Sequence, residues 1–467
     1  MFINSQRPGL SRPLGCKPPL GGRACLRVRV ISHPKSARGD DRVALGVDLK
    51  PHFRHVYRQA TRQRIRAPSS RRRPIRQASS QFIRWNSMSV RMTKEEHDRP
   101  APPHGWSVVE MARSFEVDPR LAAIVPGFNA PFFQAGLAGY SDGAMRLIAR
   151  AHDCPYCITE ALLDLTLING GKGRRKEDPD LIASECGLGE VEENRIHGLE
   201  DHPIAGQIMG TRPETMARGA ALLVDMGYDV IDVNLACPVK KIRKQHRGGH
   251  FLAYPHEAID VLQAVRAAVP PEIPCTVKMR RSFDDTSDQA LNFERIFEAV
   301  YEEGFAWATV HCRTVEQKYI GPGRWAFLQD LVRRYPDRII FGSGDIWSVE
   351  DIFLMLEICG VHAVSVARGC IGNPWIFRQA RALMAGGTPA SPSLREQTEV
   401  LLHHHELSSV IHGERAASRM MRKFGIKFSI HHPTPDVVRK EFIQCSSSAD
   451  WMQVLKRHYD SSIEPIL

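Results

Sequence analysis

The chain has 467 residues, 43% hydrophobic and 25% charged, an ordinary balance for a globular protein with room for two or three domains. No run of 18 apolar residues occurs, which excludes an apolar membrane-spanning helix, and eleven scattered cysteines without a paired framework suit a reducing cytoplasm. The net charge of +11 is unevenly held: residues 1–100 carry 23 Lys and Arg against 6 Asp and Glu, and the rest carry 40 against 46. Global charge therefore gives the folded part no claim on nucleic acid, and only local clusters count.

Residues 1–118 read as a disordered basic extension, rich in Arg, Pro, Ser and Gly, with runs such as Ser70-Arg71-Arg72-Arg73-Pro74. Three readings compete. The segment is a translated upstream region with the start at Met88, Met92 or Met111, an organelle transit segment, or a nucleic-acid-binding tail. The first is preferred, since no design is evident in so mixed a composition. The expected location is the cytoplasm, or an organelle if the extension is a transit segment.

From Phe132 short apolar runs alternate with helical patterns. Strands are expected at 132–138, 156–159, 204–209, 230–234, 275–279, 308–311, 339–342 and 363–366, with helices at 212–226, 256–268, 288–303 and 349–359. Eight strand–helix alternations in about 250 residues fit an α/β (β/α)8 TIM barrel over 119–385. An open doubly wound sheet is the runner-up, but no G-x-G-x-x-G opens a helix after the first strand. A Gly/Pro/Ser linker at 386–393 leads to a separate helical domain at 394–467.

Barrel enzymes carry their chemistry at the C-terminal ends of the strands. Here those ends read Ala135 to Asp142, Thr159-Glu160, Gln207, Asn234 to Lys241, Lys278-Met279-Arg280, His311-Cys312-Arg313, Ser343-Gly344-Asp345 and Ala367-Arg368-Gly369. The short glycine-containing seventh and eighth ends let backbone N–H groups approach a phosphate. Lys278 and Gln207 offer a cation and an amide to an electron-poor ring, as a reduced flavin requires.

With these residues in view, 132–459 resembles the tRNA-dihydrouridine synthases. The resemblance rests on AGLAGYSD (135–142), GQIMG (206–210), DVNLACPVKKIRK (232–244), TVKMRRSFDD (276–285), TVHCRTVEQKYIGPGRW (309–325), IIFGSGDIWSVED (339–351), ARGCIGNPWIF (367–377) and MRKFGIKFSIHHP (421–433). It implies FMN, reduced by NADPH or NADH, that gives a hydride to C6 of uracil while a cysteine thiol protonates C5. By position that thiol is Cys237, and an ordinary thiol pKa near 8.5 keeps it protonated at neutral pH. The resemblance places Asn234, Lys241, Arg280 and Arg313 with the substrate. It places Gln207 and Lys278 at the isoalloxazine, Gly136, Leu137 and Ala138 in the turn beneath it, and His311, Ser343, Gly344, Asp345, Ala367 and Arg368 around the phosphate. Gly136-Leu137 replaces the family's usual Pro-Met, Ser343 its Asn, Ala367 its Gly, and Gly249-His250-Phe251 a small Ser-Ala stretch.

The implied partner is tRNA, met by an enzyme that needs no protein partner and acts as a monomer. Lys240, Lys241, Arg243, Lys244 and Arg247 crowd the loop bearing Cys237, and Arg419, Arg422, Lys423 and Lys427 share a helix face. Cys154 and Cys157 form a lone C-x-x-C without a second pair, so no metal site is expected, and His403–His405 and His431–His432 read as surface histidines. Two alternatives stand: an FMN barrel acting on a free pyrimidine, in the manner of dihydroorotate dehydrogenases, and a catalytically silent tRNA-binding homologue.

Overall fold

Eight short parallel strands close on themselves in the computed structural model, which describes residues 105–169 and 201–460, apart from the Lys241 side chain. They are β1 (Phe132–Gln134), β2 (Cys157–Ile158), β3 (Ile204–Met209), β4 (Val230–Leu235), β5 (Cys275–Arg280), β6 (Trp307–His311), β7 (Ile340–Ser343) and β8 (Ala363–Val366). Each pairs with its sequence neighbour; β8 returns to β1 through Val366 and Gln134, so the ring is complete. This is the expected (β/α)8 barrel.

The strands are buried from end to end, as a parallel sheet covered on both faces must be. Alternation along them sorts the interior into two layers. Near the strand starts Phe133, Tyr156, Val230, Trp307 and Phe341 pack with Phe128 into an aromatic plug. Near the strand ends Gln207, Asp232, Asn234, Thr276 and Lys278 occupy the interior positions and are all buried. The barrel is therefore sealed with apolar rings at one end and lined with polar groups at the other.

Two expectations need correction at the N-terminal side. Residues 1–104, with Met88 and Met92, lie outside the described residues, but the last part of the expected extension is folded. Ser107 caps a helix, Val108–Ser114, through a reciprocal capping box with Glu110, and its Met111 and Ala112 are buried against the barrel's outer core. A chain starting at Met111 would lack that cap. The first strand also stops at Gln134, although Ala135 N still donates to Val366 O at 2.9 Å, and a two-residue ladder at Leu162–Leu163 pairs with Ile208 and Met209 where no strand was expected.

The C-terminal part is a four-helix arrangement, Leu394–His412, Glu414–Phe428, Pro435–Gln444 and Ser448–His458. It packs directly on the barrel and forms one compact unit with it. His412 Nε2 meets Asp142 Oδ2 at 2.7 Å, and Lys423 Nζ donates to Gly139 O at 2.6 Å, so the bundle grips the turn after β1. Histidines read as surface groups are not all so: His404 and His405 are buried, against Phe424 and Trp451 respectively. Leu401, His404, His405 and Ser408 follow the i, i+3, i+4, i+7 stripe that faces the core. His432 is buried as well.

Candidate active site

A chain of hydrogen bonds runs across the polar end of the barrel from β5 to the loop after β4. Thr276 Oγ1 donates to Asp232 Oδ1, and Gln207 Nε2 donates to Asp232 Oδ2, both at 2.7 Å. Asn234 Nδ2 donates to Gln207 Oε1 at 2.7 Å. Asn234 Oδ1 then accepts from the backbone N–H groups of Ala236 and Cys237, at 3.0 and 3.1 Å. Backbone donors at one end and a carboxylate at the other leave each amide a single consistent orientation. Asp232, wholly buried, is pushed above the usual carboxylate range by burial, against its two hydrogen bonds and the Lys278 charge.

Cys237 sits at the end of this chain. Its own carbonyl accepts from Gly249 N at 3.0 Å, so the peptide on either side is held. Burial raises its thiol pKa, while a hydrogen bond from the Val239 backbone and the Arg280 charge pull the other way. The thiol is thus kept protonated at neutral pH, the state a proton donor requires. Arg280 braces the same loop: it donates to the carbonyls of Ala236, Thr314 and Lys318 at 2.9, 2.8 and 2.8 Å. Burial lowers its pKa to about 10.

On the opposite side the ends of β6, β7 and β8 surround a small recess lined by His311, Ser343, Gly344, Asp345, Ile346, Trp347, Ser365, Ala367 and Arg368. Its chemistry is that of an anion cradle. Ser365 Oγ is buried without a hydrogen-bond partner. His311 Nδ1 accepts from the Arg313 N–H at 3.1 Å, which leaves the ring proton on Nε2. Burial and the charges of Arg280, Lys278, Arg313 and Arg368 hold His311 well below its ordinary pKa, so it is a neutral donor. Gly344 turns with φ +122°, a conformation that favours glycine. Lys278 Nζ, 3.3 Å from Ser343 Oγ, links the recess to the barrel axis; burial pushes its pKa down to about 8 against the pull of Asp232.

Other residues singled out from the sequence make contacts that the motifs alone did not show. Arg313 is buried and clamps loops together: it pairs with Asp345 at 2.7 Å and donates to Gly321 O. Asp345 takes a further bond from Gly323 N at 2.7 Å, so its carboxylate points into that clamp. Lys423, grouped with Arg419, Arg422 and Lys427, is docked on Gly139, whereas the other three are exposed. Lys241 is the second residue of the one-turn helix Lys240–Arg243 after the cysteine, and its side chain lies outside the described residues. Cys154 and Cys157 are buried with sulfurs 3.8 Å apart, and no group of three potential ligands forms a metal site among the described residues.

The turn after β1 explains one departure from the family pattern. A Cβ on Gly136 would lie 2.3 Å from Thr159 O, so the proline usual there has no space in this chain. Leu137 N donates to Ser141 Oγ at 2.7 Å, and Ala138 lies exposed beside it. Glu160, unremarked in sequence beyond its strand end, accepts from Gly139 N at 2.7 Å, and burial raises its pKa to about 7. Asp232, Thr276 and Ser365 were missed altogether. Their signal was a polar residue at an inward position of an otherwise apolar strand.

A closed parallel barrel that sets a buried thiol and a recess lined by polar and basic groups at the C-terminal ends of its strands has the architecture of a (β/α)8 enzyme. The dihydrouridine synthase (Dus) family model matches residues 188–464. A probable tRNA-dihydrouridine synthase of Treponema pallidum (strain Nichols) is 30% identical over 331 residues, covering 69% of this chain and 92% of the relative. The tRNA-dihydrouridine synthase B of Shewanella oneidensis is 27% identical over 331 residues, covering 71% and 95%. The chain belongs to the dihydrouridine synthase family. Membership assigns the reaction class, an oxidoreductase acting on the C5–C6 bond of uridine.

Proposed function

We propose that this enzyme reduces specific uridines of tRNA to 5,6-dihydrouridine, with FMN as its bound flavin, NADPH or NADH as reductant and Cys237 as the proton donor to C5. The observation that carries the reading is Cys237 itself, whose backbone is held at the end of the Thr276–Asp232–Gln207–Asn234 chain and whose thiol pKa burial raises. Ser365 Oγ, His311 Nε2–H, the Gly344 turn and Arg368 would hold the flavin phosphate, with Ser343 and Ala367 beside them and the backbone of Asp345 completing the turn. Gly136, Leu137 and Ala138 would form the floor beneath the ring. When bound, the reduced flavin supplies the hydride that C6 receives.

The remaining steps belong to the protein. Lys278 provides positive charge beside the ring site, and Gln207 is oriented by Asp232 and Asn234. Asn234 has its carbonyl committed to the cysteine loop, so only its second amide hydrogen is available to a uracil edge. Cys237 delivers its proton and is reset from solvent. Arg280 and Arg313 support this centre by holding the surrounding loops, and Lys241 lies on the helix next to the thiol.

A tRNA uridine must leave its stack to reach the barrel mouth. Lys240 and Lys244 are exposed beside Cys237, which suits phosphate contact. The reading includes a monomeric enzyme of the cytoplasm, where the eight described free cysteines would stay reduced. Purified holoenzyme given NADPH should form dihydrouridine in unmodified tRNA and none in free uracil, uridine or orotate. Turnover of a free pyrimidine with none on tRNA would establish the dihydroorotate-dehydrogenase-like alternative.

A further inference from the structure

The loop after Cys237 carries a feature that the proton transfer leaves unused. His246 and His250 stack with ring centroids 4.4 Å apart and planes at 22°, and His250 and Tyr254 stack at 4.4 Å and 24°. His250 is the middle rung, with its side chain 13% exposed, whereas His246 is exposed and Tyr254 is 48% exposed. The ladder therefore ends in solvent on both sides. Its position follows from the chain: His246 takes the left-handed φ of +56°, which turns the backbone sharply, His250 lies within the 3-10 turn Gly248–Ala253 and Tyr254 caps its end.

The turn that carries the ladder packs directly on Cys237. A Cβ on Gly248 would lie 2.9 Å from Cys237 Cβ, and Gly249 N donates to Cys237 O. Lys240 and Lys244 stand exposed on the same loop, with Arg247 half-buried beside them. Flat rings flanked by cations match a stacked base with its phosphates, since any nucleobase offers a π-face while its backbone needs positive charge.

We propose that the His246–His250–Tyr254 ladder is a stacking site for an unpaired nucleobase of the tRNA adjoining the target uridine. The inference rests on the tRNA reading above. It also gives a purpose to the Gly249-His250-Phe251 departure from the small Ser-Ala stretch usual in the family.

The test uses holoenzyme with unmodified tRNA transcript and saturating NADPH. The double variant His246→Ala/Tyr254→Ala should raise the apparent KM for tRNA by about tenfold or more, as loss of base stacking does, with kcat nearly unchanged. Oxidation of NADPH without tRNA should be as in the wild type. The double variant His246→Phe/Tyr254→Phe should restore most of the lost affinity, because it keeps the ring faces. An unchanged KM in the alanine variant, with dihydrouridine still formed, overturns the ladder and leaves the proposed function intact. Failure of the phenylalanine variant to restore affinity overturns it too, by showing that imidazole charge rather than stacking was lost. Absence of dihydrouridine with wild-type enzyme would instead overturn the parent reading, and the ladder with it.

Discussion

The two sides of the barrel mouth solve opposite problems. On the β3–β5 side every polar group has its partner: Thr276, Asp232, Gln207 and Asn234 satisfy one another and end on the backbone of Cys237. On the β6–β8 side Ser365 Oγ is an orphan and His311 presents a neutral N–H to a recess. Buried polar groups are normally paired, so an orphan beside a cradle marks a position completed by a ligand. On the proposed reading one side holds the Cys237 backbone in place and the other would receive the flavin phosphate.

That contrast can be broken or sharpened by substitution. The largest expected effect is on turnover. Lys278→Met removes the cation between the two sides and should lower the rate of dihydrouridine formation by about 10²–10³-fold, measured at saturating NADPH and tRNA. Asn234→Ala should lower fold stability by roughly 2–4 kcal/mol, since Gln207 Oε1 and two backbone donors lose their partner. Ser365→Ala should leave the melting temperature of the flavin-free protein unchanged, because its hydroxyl has no partner, yet weaken FMN binding by about tenfold. Equal stability losses in the last two variants would erase the distinction between the sides.

The smallest effect concerns pH. Burial raises the Glu160 pKa from its ordinary 4.5 to about 7, so the folded state binds the proton more tightly than the unfolded chain does. Its favourable contribution is complete below pH 4.5 and is lost as pH rises through 7. Glu160→Gln should therefore flatten the fall in melting temperature between pH 5 and 8, by a few degrees at most. A profile as steep as the wild type's would assign that fall to other groups.

Much of the architecture was legible because parallel strands and their helices repeat at a regular pace. The starts and ends of β3 and β8 follow directly from short runs bounded by turns, and β4 runs one residue past its expected end. Thr276 and Asp232 were not legible: a polar residue inside a buried strand looks like a flaw until its partner across the barrel is known. Arg313 was placed with the substrate by motif, but its partner Asp345 lies 32 residues away in sequence, and only the fold reveals the clamp. The helix Val108–Ser114 was hidden by the basic composition before it, although the Ser107 and Glu110 spacing of a capping box was there to be read.

The central claim is that Cys237 gives the proton and takes no part in binding the flavin. It is tested most directly by Cys237→Ala holoenzyme, with bound FMN, NADPH oxidation and tRNA dihydrouridine measured on one preparation. The account predicts FMN content and NADPH oxidation equal to the wild type's, with dihydrouridine formation reduced by about 10²–10⁴-fold. Dihydrouridine formed at the wild-type rate would contradict it.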